Sequence, residues 1–226
     1  MSTILPSILA IIIGYLLGSI PPAYLLGKWL HGVDIREHGS GNVGGANAGR
    51  LFGKEVFAAV AVFDILKGSL SIIIAKLLVP GHVAAVGLFS DKATFIALAG
   101  FAAVFGHCYS YIINFSGGKG GATTAGVLLA IDPLTFGIMV LFWVLIVATT
   151  RFTSLANLLA IILVPILLNF RTDSPSYMYL GLILIVLIWW RHRENVGRLV
   201  RGEERKFGNK EKLSTETEED TENQSE

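Results

Sequence analysis

Long apolar runs separated by short polar, glycine-rich turns dominate the chain. They cover about 4–30, 55–79, 93–113, 133–150, 152–170 and 175–191. Each is continuously apolar rather than alternating with period two, so each predicts a helix and excludes a transmembrane barrel. Crossing a hydrocarbon core of ~30 Å takes ~20 helical residues, which these runs supply. The stretch 122–131 is apolar but only ten residues long. As a helix it covers ~15 Å, half a bilayer. Two proline-containing pairs punctuate the pattern. Pro21-Pro22 kinks or interrupts the first run, and Asp132-Pro133 divides 122–150 into a short piece and a long one. The pattern predicts an all-α, polytopic membrane protein with about seven transmembrane helices, one of them short.

Composition agrees. The 226 residues are 53% hydrophobic and only 15% charged, against about a quarter charged in soluble domains. The opening MSTILPSIL places no Lys or Arg before its apolar run, so that run reads as a span rather than a cleavable leader. Cys108 is the one cysteine, which excludes an intrachain disulfide and a thiolate-built structural metal site.

The positive residues set an orientation. Lys28, Arg36, Arg50, Lys54, Lys119, Arg151 and eight in 191–212 fall on one side if 122–150 crosses out and back, leaving Lys92 and Arg171 on the other. A single crossing would put the eight outside. The first arrangement is preferred, with the N-terminus outside and the C-terminus cytoplasmic. Residues 1–208 then form one integral-membrane domain. The remainder, 209–226, ends in acidic LSTETEEDTENQSE, too polar to bury a core, and is expected to be disordered.

That orientation gathers four polar clusters on the cytoplasmic face. They are GSGNVGGANAGR at 39–50, FSGGKGGATT at 115–124, RFTS at 151–154, and HREN at 192–195 with Arg198. Glycine runs let backbone N–H groups turn toward an anion, and a following helix N-terminus adds a favourable dipole. Arginine brings a planar fork and lysine a point charge. Together they predict a site for phosphorylated small molecules at the membrane boundary.

Two soluble readings fail. Gly39, Gly41 and Gly44 have dinucleotide-turn spacing, but the turn follows a membrane run rather than a strand. Gly118-Lys119 is no P-loop, because Ile113 stands where the first glycine is required and Gly120 replaces Ser or Thr. The glycines also admit a packing role, and Arg201, Arg205 and Lys206 a purely topological one. Asp64 and Lys67 lie inside the second run at i, i+3 and are expected to neutralise each other. His107 reads either as a hydrogen-bonded structural histidine or as a site residue. Trp143, Trp189 and Trp190 fit interfacial belts.

GSGNVGGANAGR, FGHCYSYIINFSGGKGGAT and HRENVGRLVRGEERK, with FDILKG in the second run, resemble the bacterial membrane glycerol-3-phosphate acyltransferases of the acyl-phosphate-dependent (PlsY) family. The resemblance spans about 14–208. It implies a seven-helix inner-membrane enzyme of phospholipid synthesis. Such enzymes move a fatty acyl group from acyl phosphate to the sn-1 hydroxyl of glycerol 3-phosphate, giving lysophosphatidic acid and phosphate. The motif residues match at Ser40, Gly41, Asn42, Asn47 and Arg50. They match again at His107, Gly117, Gly118, Lys119 and Gly120, and at Ser154, His192, Asn195 and Glu204. Val43, Gly45-Ala46 and Gly121 depart from the usual Pro, Ala-Thr and Val, which bears on loop rigidity more than on reaction type.

The resemblance implies a catalytic set of Ser40, Arg50, Lys119, His192 and Asn195. Arg50 and Lys119 would neutralise phosphate, and Ser40 and Asn195 would position substrate. Substrate contacts are expected from Gly41, Asn42, Asn47, His107, Gly117, Gly118, Gly120, Ser154 and Arg193, with the amides of 117–120 on phosphate oxygens. No histidine is followed by an Asp at His-x4-Asp spacing. The proton acceptor is therefore the donor's own phosphate or His192, with the phosphate ranked first. The expected partners are acyl phosphate, glycerol 3-phosphate and the lipid bilayer, with functional coupling to the enzyme that makes acyl phosphate. No cofactor, metal or nucleic acid is expected. The competing class is a transporter of a phosphorylated metabolite, which would need a midplane site reachable from both sides and often inverted repeats.

Overall fold

The computed structural model describes residues 4–81, 83 and 91–209, so the acidic end of the chain lies outside the described residues. Among the described residues ten α-helices run in order: α1 Ile4–Gly18, α2 Pro22–His31, α3 Gly45–Phe52, α4 Lys54–Leu78, α5 Lys92–Cys108, α6 Gly121–Ile131, α7 Pro133–Thr150, α8 Thr153–Arg171, α9 Pro175–Arg191 and α10 Arg193–Val200. Among the described residues, Ile4–His31, Lys54–Leu78, Pro133–Thr150 and Thr153–Arg171 are long and apolar enough to cross a membrane. The shorter apolar helices are α5, α6 and α9. The protein is thus an all-α polytopic membrane protein, with elements close to the predicted runs.

Both proline breaks lie where the pattern placed them. At Ser19–Pro21 the first run opens between α1 and α2, and Pro22 restarts it at a position that needs no N–H. The break frees the Ile20 carbonyl, and Lys67 Nζ donates to it at 2.8 Å. Asp132 closes α6 and caps α7, its Oδ2 accepting from the Thr135 amide at 3.1 Å and hydroxyl at 2.7 Å. Arg171 pairs with the same carboxylate from the end of α8.

These contacts define one end of the bundle. Lys76, late in α4, donates to the Ala130 carbonyl near the end of α6, Lys92 reaches the Lys76 carbonyl, and Ser174 ties α9 to Asp91. The α6–α7 turn therefore lies beside the ends of α4 and α8 and the starts of α5 and α9. The four glycine-rich or basic clusters gather at the other end.

One predicted boundary moves. The third run was expected to stay helical to 113, but α5 stops at Cys108. Ser110 pairs with Ser116 across a tight reversal, with Asn114 and Phe115 at positive φ. The stretch YIINF is apolar without continuing the helix: Tyr111, Ile112 and Phe115 are exposed at this end of the bundle, and Ile113 packs into a core.

The main core joins α1, α4, α5, α6, α8 and α9 around Ile72, Val104, Leu128, Val164, Leu168 and Leu184. A smaller core of Ala23, Ile35, Val43, Ala48, Val60 and Ile113 seats the first glycine loop. Without a hydrophobic drive between helices in lipid, small residues have to bring the backbones together. The α4–α6 seam does this at Gly126, where a Cβ would stand 2.0 Å from the Ile65 carbonyl oxygen. By contrast α7 buries only Thr135 and presents Leu134, Leu141 and Leu145 outward, a face suited to lipid chains.

The seam is open to test. Gly126→Ala is expected to cost about 1–3 kcal/mol, the scale of an overpacked core. Gly137→Ala, which meets nothing within 4 Å, should change stability by under about 0.5 kcal/mol. Unfolding in detergent compares the two, and equal stabilities would refute the close approach of α4 and α6.

Candidate active site

A cavity of about 360 Å³ opens at the glycine-loop end and runs down between α4, α6, α7 and α8. Its mouth is polar and basic, lined by Ser40, Asn42, Arg50, Lys119, Asn195 and Arg198. Its depth is apolar, walled by Phe57, Ile65, Met139, Val140, Val144 and Ile161.

The first loop is built around Asn47 on α3, whose side chain is fully buried. Its Oδ1 accepts from the Ser40 amide at 3.0 Å, and its Nδ2 donates to the carbonyls of Ile35 and His38. All its polar capacity goes to loop backbone. Asn47, expected to touch substrate, is instead the staple that presents Ser40 beside Arg50. The Arg50 Nη2 lies 3.5 Å from Ser40 Oγ. Gly41 turns within the same loop and, unlike Asn42, is outside the cavity lining.

The second loop divides in two. Gly117 and Gly118 are buried against the end of α5. The Gly118 amide donates to the His107 carbonyl at 3.0 Å. Both glycine carbonyls accept from Arg191, at 2.9 and 3.1 Å, while the guanidinium sits 5.0 Å over the Tyr109 ring. The Gly118 amide is thus committed to packing, and neither Gly117 nor Gly118 lines the cavity. The expectation of phosphate-binding amides shifts by about two residues. Gly120, Gly121 and Ala122 line the cavity at the start of α6, where first-turn N–H groups have no intrahelical acceptor. Their dipole end favours an anion.

Lys119 stands beside this helix start and donates to Asn195 Oδ1. Desolvation, followed by the nearby Arg198 charge, pulls its ammonium down to about 8. Asn195 Nδ2 in turn donates to Glu204 Oε1 at 2.6 Å. Glu204 also accepts from Ser154 at 2.8 Å and Arg198 at 3.0 Å. Burial alone would raise this carboxyl, but hydrogen bonds from Asn195, Ser154 and Arg198 outweigh it and hold the group below its usual value.

The chain beyond α10 delivers Glu204. Phe207 is seated by mutual contacts with Arg151: its amide donates to the Arg151 carbonyl at 2.7 Å, and Arg151 Nη2 donates back to its carbonyl at 3.0 Å. The Phe207 ring meets Phe57 edge-on at 5.0 Å. Sequence reasoning noticed Glu204 only through its motif and gave it no role. Its position within a basic tail was the available signal.

His192 is buried, its Nδ1 2.8 Å from the Ile188 carbonyl. That contact places the ring hydrogen on Nδ1 and leaves Nε2 as an acceptor. Desolvation lowers its pKa to about 4, so it is neutral near pH 7. Arg193 points away from the cavity. It is exposed, stacks 4.8 Å over Trp190 and donates to that residue's carbonyl, so the expected substrate contact is not made.

His107 is a buried, hydrogen-bonded histidine. It lines the cavity, and its Nδ1 lies 3.0 Å from Lys67 Nζ and 3.1 Å from Asp64 Oδ1. Asp64 and Lys67 pair at 2.7 Å as expected. Trp143, expected in an interfacial belt, is in the cavity wall with its indole N–H on Asn157 Oδ1 at 2.9 Å. No cluster of three or more metal-ligating side chains occurs among the described residues.

An anion-receptive mouth above an apolar slot, inside an all-α polytopic bundle, defines a membrane protein shaped for amphiphiles with charged head groups. The chain belongs to the glycerol-3-phosphate acyltransferase family, whose profile matches residues 8–202. It is 37% identical to the glycerol-3-phosphate acyltransferase of Carboxydothermus hydrogenoformans, over 89% of this chain and 96% of that one. It is 38% identical to that of Myxococcus xanthus, over 87% and 97%. Two crystal structures of PlsY (YgiH), an integral membrane glycerol 3-phosphate acyltransferase, superpose on it. The glycerol 3-phosphate form gives a TM-score of 0.79 at 35% identity, covering 89% of this chain and 96% of that one. The lysophosphatidic acid form gives 0.77 at 34%, covering 89% and 95%.

The Lys119 environment generates a pH dependence. A lysine lowered from 10.5 to about 8 is charged below that pH and neutral above it. Affinity of the free protein for a phosphate ligand should therefore hold up to about pH 7.5 and fall through pH 8–9. In kcat/KM, which reports free-enzyme groups, Lys119→Arg should move that alkaline limb beyond pH 10. An unshifted limb would assign it to another group.

Proposed function

We propose that the protein transfers a fatty acyl group from acyl phosphate to the sn-1 hydroxyl of glycerol 3-phosphate, releasing lysophosphatidic acid and phosphate. The observation that carries this reading is the single cavity joining Arg50 and Lys119 at its mouth to an apolar slot below. Both substrates bear phosphate and the donor bears a long chain, so one cavity has to receive two head groups and one tail. The solved relatives in glycerol 3-phosphate and lysophosphatidic acid forms support the acceptor and product.

The hydroxyl oxygen attacks the carbonyl carbon of the mixed anhydride. The carbonyl–oxygen bond to phosphate breaks, and phosphate leaves with the electron pair. Arg50 and Lys119 neutralise the phosphates, Ser40 and Asn42 orient the acceptor, and the α6 amides at Gly120–Ala122 receive phosphoryl oxygen. Neutral site groups Asn195 and Ser154 are held by Glu204, so Lys119 meets a fixed partner. Most of the acceleration then comes from proximity and preorganised charge.

The proton goes to the donor's phosphate. His192, at about 4, is too weak a base to compete with the phosphate, which gains basicity as the bond from its bridging oxygen to the carbonyl carbon breaks. His107 Nε2 is covered by Gly118, where a Cβ would come within 2.0 Å, and is no better placed. His192 Nε2 instead accepts a hydrogen bond from the acceptor substrate. The transport reading is weaker because Asp132 and Arg171 pin the helix ends at the far side, while the polar lining lies at one end.

The enzyme works in the bacterial inner membrane as a single domain, 1–208, with seven spans: the joined α1–α2, α4, α5, α6, α7, α8 and α9. Its N-terminus is outside, and its cavity mouth and C-terminus face the cytoplasm. Acyl phosphate then arrives from the enzyme that makes it on the cytoplasmic side.

Purified protein given palmitoyl phosphate and labelled glycerol 3-phosphate is expected to form labelled lysophosphatidic acid. Product only from acyl-CoA or acyl-carrier protein would overturn the donor assignment. Arg50→Lys keeps the charge but loses the planar fork. It should cost about 1.5–3 kcal/mol, or roughly 10- to 150-fold in kcat/KM. Wild-type kinetics would remove Arg50 from the site.

The orientation has its own test, since Cys108 is the one native cysteine and is buried. An Asp173→Cys variant should react with an impermeant thiol reagent from outside intact cells. Lys206→Cys should react only after permeabilisation. The reverse pattern would invert the topology.

A further inference from the structure

Three polar groups lie deep between α1, α4 and α5, below the phosphate-binding mouth. Lys67 Nζ is the hub, its side chain 6% exposed. It reaches Asp64 Oδ1 at 2.7 Å, His107 Nδ1 at 3.0 Å and the Ile20 carbonyl at 2.8 Å. Two of these partners fall outside the ion pair, and each leads to a different glycine loop.

The Ile20 carbonyl is the one freed by the α1–α2 break. Holding it fixes the angle at which α2 departs. Ala23 on α2 packs in the same small core as Ile35, Val43 and Ala48, which carry the first loop. His107 leads to the second loop, since its carbonyl accepts from the Gly118 amide. Gly118 itself is sandwiched. A Cβ there would meet His107 Nε2 at 2.0 Å on one side and the Val43 carbonyl of the first loop at 2.8 Å on the other. The two loops therefore meet over the imidazole.

We propose that Lys67 is a positioning residue for the acyl transfer, an intramembrane ammonium that sets the register of the two glycine loops and thereby the separation of Arg50 from Lys119. The inference rests on the proposed reaction and extends it to a group that touches neither substrate. An ion pair alone would not need this arrangement. A charge pair buried in a bilayer costs desolvation, and replacing it by apolar groups is often neutral or stabilising. The two further contacts give Lys67 a task that a neutral pair of side chains cannot perform.

The double variant Asp64→Asn, Lys67→Met separates the two roles. It removes both charges, so the span keeps no uncompensated ion, but it also removes the donor to Ile20 and His107. Its melting temperature in detergent should stay within a few degrees of wild type. Its KM for glycerol 3-phosphate should rise at least tenfold, with a smaller fall in kcat. His107→Leu, which leaves the ion pair intact, should raise KM similarly. Lys67→Arg, which keeps a donor near both partners, should recover part of the loss in KM. A folded double variant with wild-type KM and kcat would overturn the proposal, and so would His107→Leu with wild-type kinetics. Wild-type protein that makes no lysophosphatidic acid would fail the proposed reaction instead.

Discussion

Inside a bilayer, a backbone N–H or C=O that leaves its helix has no water to turn to. Every interruption of the bundle therefore has to be answered by protein, and the site grows out of those answers. Lys67 answers the carbonyl freed at Pro21-Pro22. Arg191 answers the carbonyls of Gly117 and Gly118 where α5 hands over to α6. Asp132, locked by Arg171, answers the α6–α7 turn. The first-turn amides of α6 have no intrahelical acceptor, and they open into the cavity. The proposed phosphate site uses this helix start, whose first residues line the cavity.

The charges around that opening form a connected series. Lys119 meets Asn195, Asn195 meets Glu204, and Glu204 also holds Ser154 and Arg198. The acidic member keeps three neighbouring polar groups, Asn195, Ser154 and Arg198, oriented without cancelling the positive mouth. Burial of Lys119 has a functional side as well. A desolvated ammonium attracts a phosphate more strongly than a hydrated one, because the local dielectric is lower. The same burial limits how far into alkali the charge persists.

The two glycine-rich loops look alike in sequence but work differently. The first presents Ser40 and Asn42 to the cavity, with Asn47 spent on holding its backbone. The second uses Gly117 and Gly118 to let the chain pass tightly over α5, and only from Lys119 onward does it face the cavity. Phosphate-receptive amides and close backbone approach both favour glycine, so residue type alone does not separate the roles. What separates them is which amides and carbonyls already have partners.

Hydropathy, the prolines and residue spacing by themselves determined the long apolar helices, the break at Pro21-Pro22, the helix boundary at Asp132-Pro133 and the Asp64–Lys67 pair. All of these are local: they follow from the length of an apolar run, the missing N–H of proline, or an i, i+3 spacing. The motifs also placed Ser40, Asn42, Arg50, Lys119, His192 and Asn195 in one neighbourhood. Tertiary structure alone decided the end of α5 at Cys108, since an apolar turn at the membrane edge has the same composition as one more helical turn. It decided that Arg193 faces outward while Arg191 holds the second loop. It also brought Glu204 to Ser154, 50 residues away in sequence. A polar group's role depends on which distant partner the fold brings within 3 Å, and that information is absent from the local pattern of the chain.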